Sequence, residues 1–149
     1  MEKRNLPIGI QHFNVLRENN YLYVDKTEQI FQLAARGGGA YFLSRPRRFG
    51  KSLLISTLKE LFKGHQDLFK GLWIEDKWNW TKTYPVIHFS FDKMGYKVEG
   101  LEQSILYELQ KLAEIYNITY SKNNYIAQFE ELITKVASKH GKEIGRAHV

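Results

Sequence analysis

The sequence predicts an α/β fold in which helices pack on a parallel sheet. Two short apolar runs, AYFLS at residues 40–44 and YPVIHFSFD at residues 84–92, have the composition of buried strands. Each run precedes a segment with apolar residues at helical spacing, and alternation of strand and helix is typical of a parallel sheet. Two strands are few for such a sheet. We therefore expect the chain to stop before the sheet is complete.

Apolar residues at helical spacing predict the helices. Ile10, Phe13 and Leu16 indicate a short first helix. The second is expected to begin at Asp25 as N-cap, because Glu28 stands three residues later as in a capping box. The apolar faces of the three longer helices consist of Leu54, Leu58, Leu61 and Phe62; of Leu101, Ile105, Leu109, Leu112 and Tyr116; and of Phe129, Leu132, Ile133 and Val136.

Composition limits the class of protein. The 149 residues suffice for one globular domain and contain no cysteine, which excludes disulfides and thiolate metal sites. No segment approaches the roughly 20 apolar residues that span a bilayer, so we expect a cytoplasmic protein without a membrane partner. The net charge of +6 suits anionic ligands such as phosphates or nucleic acid, although an ordinary solvated surface also has this charge.

The segment SRPRRFGKSLL resembles a phosphate-binding loop. The general pattern is G-x-x-x-x-G-K-[ST] between a strand and a helix, and Gly50, Lys51 and Ser52 supply its second half while Arg45 stands at the first glycine. In such a loop Lys51 would reach the β- and γ-phosphates of ATP as the catalytic cation, and the Ser52 hydroxyl would ligate Mg²⁺. The tripeptide by itself is also compatible with the start of an ordinary solvent-facing helix.

The residues that precede Gly50 favour the nucleotide interpretation. RPRRFGKS resembles the signature loop of an AAA-ATPase-like family, and the resemblance extends over residues 5–142 through LPIGIQHFNVLRENNYLYVDKT, LLISTLKELFKG and YPVIHFSFD. In that family an arginine replaces the first glycine. The resemblance implies a three-layer αβα fold like that of P-loop NTPases and a nucleotide site formed by Arg45, Pro46, Arg47, Arg48, Phe49, Gly50, Lys51, Ser52 and Leu53.

The individual side chains of this loop allow several roles. Pro46 fixes φ and removes one N–H donor, so the loop is expected to be stiff. The three arginines would contact phosphates, a DNA backbone, a neighbouring subunit or an acidic surface, or they would be exposed to solvent. Phe49 is expected to pack into the core. The rival function is a nucleic-acid-binding module that uses the Arg/Lys cluster and hydrolyses nothing.

The C-terminal part of the sequence predicts an incomplete domain. No apolar strand that ends in Asp-Glu, the usual Mg²⁺ and water site of these enzymes, precedes residue 143, and Asp92 is a weak substitute. In the resembled family that strand follows a Gly-Lys such as Gly141-Lys142. A nuclease-like PD-(D/E)XK domain comes later in the chain, and the resemblance implies that the whole protein would bind nucleic acid through that domain. We thus interpret residues 1–143 as the N-terminal part of the ATPase domain, inactive by itself.

The simplest explanation of the last six residues, 144–149, is that they do not come from the gene itself. They match the translation of ATCGGAAGAGCACACGTC, the end of a common sequencing adapter. We interpret them as a foreign tail; the alternative is an ordinary polar terminus.

Overall fold

The computed structural model describes residues 4–36, 39–89 and 100–141, and every regular element in these ranges is a helix. Five α-helices are present: α1 at Phe13–Glu18, α2 at Thr27–Ala34, α3 at Lys51–Phe62, α4 at Leu101–Tyr116 and α5 at Tyr125–His140. A 3₁₀ helix at Gln66–Phe69 follows α3. The chain divides into two compact units, the first up to Tyr84 and the second from Pro85 onward.

The predicted αβα fold with a parallel sheet is wrong for the described chain. No strand is assigned in the three described ranges. Residues 40–44 have no assigned secondary structure and are exposed, and residues 84–89 are likewise not assigned to a strand. A β-strand exists only where a second strand accepts and donates its hydrogen bonds. An apolar run therefore becomes a strand only if such a partner strand is present. Residues 90–92, which complete the second predicted strand, and the tail at 144–149 lie outside the described residues.

The first unit has a core of large apolar side chains. Phe13 from α1, Ile30 from α2 and Leu61 from α3 are buried together. Phe69, the last residue of the 3₁₀ helix, packs against Phe13 with ring centroids 4.8 Å apart. Trp78 and Trp80 also pack against this cluster, whereas Trp73 is more exposed. Burial of these faces, more than intrinsic helix propensity, stabilises helices as short as α1 and α2.

The second unit is an α4–α5 hairpin with its own core. Leu109 and Leu112 of α4 pack with Leu132 and Val136 of α5, as their helical spacing predicts. Leu101 belongs to the predicted apolar face of α4, but it is exposed because it is the first residue of that helix. The N-cap of α5 is Asn124, whose side-chain oxygen accepts a hydrogen bond from the Ile126 N–H at 2.7 Å.

No helix among residues 4–36, 39–89 and 100–141 is long and apolar enough to cross a bilayer.

Candidate functional site

The candidate site begins with a tight loop that leads directly into α3. Gly50 is the N-cap of α3 and has φ of 76°, in the left-handed region that glycine adopts without strain. Arg48 also has a positive φ, 68°, although it carries a side chain. Phe49 stands between these two left-handed residues and is 62% exposed, so the prediction that it packs into the core is wrong. The helical half of the predicted strand–loop–helix is confirmed, and its strand half is not.

Lys51, the predicted catalytic cation, folds back over this loop. Its Nζ donates hydrogen bonds to the carbonyl oxygens of Arg45 and of Pro46, the latter at 3.1 Å. The ammonium group is therefore held on the loop side of α3 and does not enter the core. Both acceptors are neutral carbonyls, so the positive charge of Lys51 stays uncompensated by these two contacts.

The helix that begins at Lys51 also has backbone donors without an acceptor. The first hydrogen bond within α3 runs from the Leu54 N–H to the Gly50 carbonyl at 2.9 Å. The N–H groups of residues 51–53 consequently have no acceptor in the helix, and the positive end of the helix dipole lies at the same place. The Ser52 side chain is exposed there, whereas the Leu53 side chain packs toward the first core. Leu53 thus offers the site its N–H and anchors the helix with its side chain.

Three guanidinium groups surround the loop. Arg45, Arg47 and Arg48 are all exposed, and none of them forms an ion pair with a carboxylate of the described residues. The loop therefore joins three arginines, one lysine and a helix N-terminus on a surface without a described counter-charge. Such a surface attracts anions.

The described residues of the loop offer few ligands for a metal ion. The described ranges contain no group of three or more His, Cys, Asp or Glu side chains that could hold one. Ser52 offers a single hydroxyl, and Mg²⁺ prefers six oxygens of which several are water or phosphate. Asp92, the other predicted carboxylate, lies outside the described residues.

Hydrogen bonds between helices hold α3 in place beneath the loop. The Phe13 N–H donates to the Ser56 Oγ at 2.9 Å and so links α1 to the second turn of α3. Next to it, Thr57 is fully buried, and its hydroxyl donates a hydrogen bond to the Leu53 carbonyl at 2.8 Å. Desolvation by burial raises the pKa of the nearby Tyr23 above its usual range, against a smaller opposite effect of Thr57. The loop is thereby mounted on a helix that is fixed to the core.

These features agree with the similarity of the chain to known proteins. The family model described as "Predicted AAA-ATPase" matches residues 7–145. The chain belongs to this predicted AAA-ATPase family. It is also 41% identical over 146 residues to an uncharacterized protein in the vnfD 5' region of Azotobacter chroococcum mcd 1. That alignment covers 97% of this chain and 28% of the relative, and no solved structure matches.

Sequence reasoning missed the long-range role of Asp25 in this family member. Asp25 is not the N-cap of α2, which is Lys26; its Oδ1 accepts from the N–H and the hydroxyl of Thr27. Its Oδ2 accepts from the Trp73 N–H at 2.7 Å, and the Thr27 hydroxyl accepts from the Ile74 N–H at 3.2 Å. The Asp-Lys-Thr spacing signals the local turn. It gives no sign of the partners at residues 73–74.

Proposed function

We propose that this chain binds the phosphate groups of ATP at residues 45–53, as the nucleotide-binding part of a larger ATPase. The observation that supports the proposal most directly is the position of Lys51. Its ammonium group donates to two carbonyls of the loop that leads into α3, and Lys51 itself is the first residue of that helix. A phosphate would accept from the N–H groups of residues 51–53 and from the ammonium, both of which favour negative charge.

The side chains around Lys51 fit a triphosphate better than a single small anion. Three exposed guanidinium groups add charge over a wider area than one phosphate occupies. Lys51 would exchange its two carbonyl contacts for terminal phosphate oxygens, and Ser52 would share an Mg²⁺ ion that the phosphates carry. With the metal bound, its positive charge would stabilise the negative charge of the phosphates. The chain's own contribution is to hold and orient the phosphates.

Thermal unfolding in the presence of ATP, with and without Mg²⁺, tests the proposal. We expect ATP to raise the unfolding temperature, because a ligand that binds the folded state stabilises it by mass action. Lys51→Ala should weaken ATP binding by about tenfold or more, the equivalent of one charge-assisted hydrogen bond. Lys63→Ala is the matched control, since Lys63 is exposed at the other end of α3.

Three outcomes separate the proposal from its rival. Loss of ATP binding in Lys51→Ala and not in Lys63→Ala supports it. No stabilisation by ATP, or equal loss in both variants, contradicts it. Tighter binding of a DNA oligonucleotide than of ATP, with a steep dependence on salt, would instead favour the nucleic-acid module.

A further inference from the structure

We infer that a small cavity in the first unit binds a planar aromatic carboxylate. The cavity has a volume of about 200 Å³ and is lined by one residue of α2 and by residues of the segment that precedes Pro85. Its lining residues are Phe31, Lys77, Trp78, Asn79, Lys82 and Tyr84. Three of them are aromatic, three carry polar nitrogen groups outside a ring, and none is acidic. Aromatic walls with a few polar groups are typical of small-molecule sites.

Contacts between rings fix the aromatic walls of this cavity. The Trp78 ring lies edge-on to Phe31, with centroids 6.3 Å apart, and edge-on to Phe62, with centroids 5.7 Å apart. Phe62 in turn lies edge-on to Tyr84 at 5.8 Å. The three lining rings are half-buried, so each of these side chains keeps some accessible surface. Because the rings already hold one another, a flat ligand packs on them with little further loss of side-chain freedom.

The neutral polar groups of two lining residues are hydrogen-bond donors. The Oδ1 of Asn79 accepts from the Thr81 N–H at 3.2 Å and from the Thr81 hydroxyl at 2.6 Å. Because a backbone N–H can only donate, this atom is the amide oxygen, and the amide nitrogen of Asn79 remains as a donor. The indole Nε1 of Trp78 is buried and has no acceptor among the described residues. Donors without an acceptor in the lining favour a ligand that carries oxygen acceptors.

The charged groups of the lining favour an anion. Lys82 is exposed and forms no ion pair with a carboxylate of the described residues. Lys77 is paired with Asp76 at 2.6 Å, and its ammonium also lies 4.8 Å from the centroid of the Trp73 ring. Lys82 is thus the lining cation without a described counter-charge. A carboxylate attached to an aromatic ring matches both this charge and the aromatic walls.

Size and position separate this cavity from the phosphate loop. Sites for drug-sized ligands have volumes of about 300–1,000 Å³, so a cavity of about 200 Å³ suits one or two fused rings and not ATP. Phe62, which packs against Trp78 and Tyr84, is the last residue of α3, whereas the loop precedes its first residue, Lys51. These two ends of the helix are about 17 Å apart at a rise of about 1.5 Å per residue. The inference therefore does not depend on what Lys51 binds.

Two-dimensional NMR titration with indole-3-carboxylate tests the inference. We expect a dissociation constant of about 1 mM or below, as for a ligand of about twelve non-hydrogen atoms. The indole N–H signal of Trp78, which is identified by its absence from Trp78→Phe, should shift during the titration. Lys82→Ala should raise the dissociation constant about three- to fivefold, because it removes one exposed charge pair. Indole-3-carboxamide has a similar shape without the charge, so its weaker binding should not change in Lys82→Ala.

Lys63→Ala is the matched control for Lys82→Ala. Lys63 is exposed and follows Phe62 directly, but it does not line the cavity, so this variant should bind indole-3-carboxylate as the wild type does. Saturating ATP should leave the titration unchanged. Three outcomes would overturn the inference: no shift of the Trp78 signal at about tenfold the expected dissociation constant, equal weakening in Lys63→Ala and Lys82→Ala, or displacement of the probe by ATP.

Discussion

Asp25 and Trp73, 48 residues apart in the sequence, are joined by a hydrogen bond of 2.7 Å from the Trp73 N–H to the Asp25 carboxylate. The same carboxylate also closes the turn before α2 through Thr27. Arg17 of α1 reaches the nearby segment as well, because its Nε donates to the Leu68 carbonyl at 2.7 Å. The first unit is thus held together by polar contacts at its edge in addition to its apolar core.

Asp25→Asn should destabilise the first unit and change its response to acid. Desolvation by itself raises the pKa of Asp25, but the hydrogen bonds from Thr27 and Trp73 outweigh it and leave the pKa below the ordinary value of 3.8. A lowered folded-state pKa stabilises the protein above pH 3.8, and this contribution is lost as the pH falls through the folded value. The asparagine side chain offers one oxygen acceptor in place of two, so one of these contacts is lost.

Urea unfolding at pH 7 and at a pH well below 3.8 measures this effect. The wild type and Asp25→Asn should differ most at pH 7 and approach each other in acid. Asp76→Asn, in an exposed pair with Lys77, is the control and should change stability little. A difference between wild type and Asp25→Asn that does not shrink in acid would contradict the role given to the carboxylate.

Lys51→Ala should weaken nucleotide binding much more than Arg47→Ala. Lys51 is held by two loop carbonyls beside the start of α3, whereas Arg47 is exposed without an ion-pair partner among the described carboxylates. Calorimetric titration of both variants with ATP at two salt concentrations makes the comparison. Equal losses, with a steep salt dependence common to both, would indicate diffuse electrostatic attraction in place of a defined phosphate contact.

Arg48→Gly should stabilise the unliganded loop slightly. A left-handed conformation costs a non-glycine residue about 1–2 kcal/mol, and glycine costs about 0.5–1 kcal/mol in lost chain entropy. The expected net gain is about 0.5–1 kcal/mol, the difference between these two costs. Arg47→Gly removes the same charge but lacks the positive φ, so it should only destabilise. Chemical denaturation of both variants tests this, and equal destabilisation would exclude strain at Arg48.

Tyr120→Phe should weaken the second unit by about 1 kcal/mol, the usual contribution of one hydrogen bond. The Tyr120 hydroxyl donates to the Leu109 carbonyl at 2.8 Å, and desolvation, with a smaller effect of Glu131, raises its pKa to about 12. The neutral phenol therefore stabilises the fold below about pH 10, the ordinary pKa of tyrosine, and this contribution is lost as the pH rises through the folded value.

Alkaline unfolding curves check this prediction. Wild type should lose stability between about pH 10 and the folded pKa of about 12 more steeply than Tyr120→Phe. The control is Tyr107→Phe, because Tyr107 is exposed on the same helix α4 and should behave as the wild type. Identical curves for all three proteins would show that the Tyr120 hydroxyl contributes nothing to stability.

The sequence by itself determined the helices and the location of the candidate site. Leu109, Leu112, Leu132 and Val136 recur at helical spacing, and this pattern sets the buried face of a helix before any partner is known. Gly50-Lys51-Ser52 likewise identified the start of α3, because glycine is needed where φ is positive and the helix begins directly after it.

Only the tertiary structure decided what depends on distant partners. Residues 40–44 have the composition of a buried strand, but no strand is assigned among residues 4–36, 39–89 and 100–141, and residues 40–44 are exposed. Phe49 is apolar, so the sequence predicts that its ring is buried. In the structure the ring is exposed, and both neighbours of Phe49, Arg48 and Gly50, have a positive φ. Asp25 binds Trp73 across 48 residues, which local spacing does not encode. Helical periodicity is a local property of the chain, whereas strand pairing, burial of a loop side chain and long-range hydrogen bonds exist only when separate segments meet.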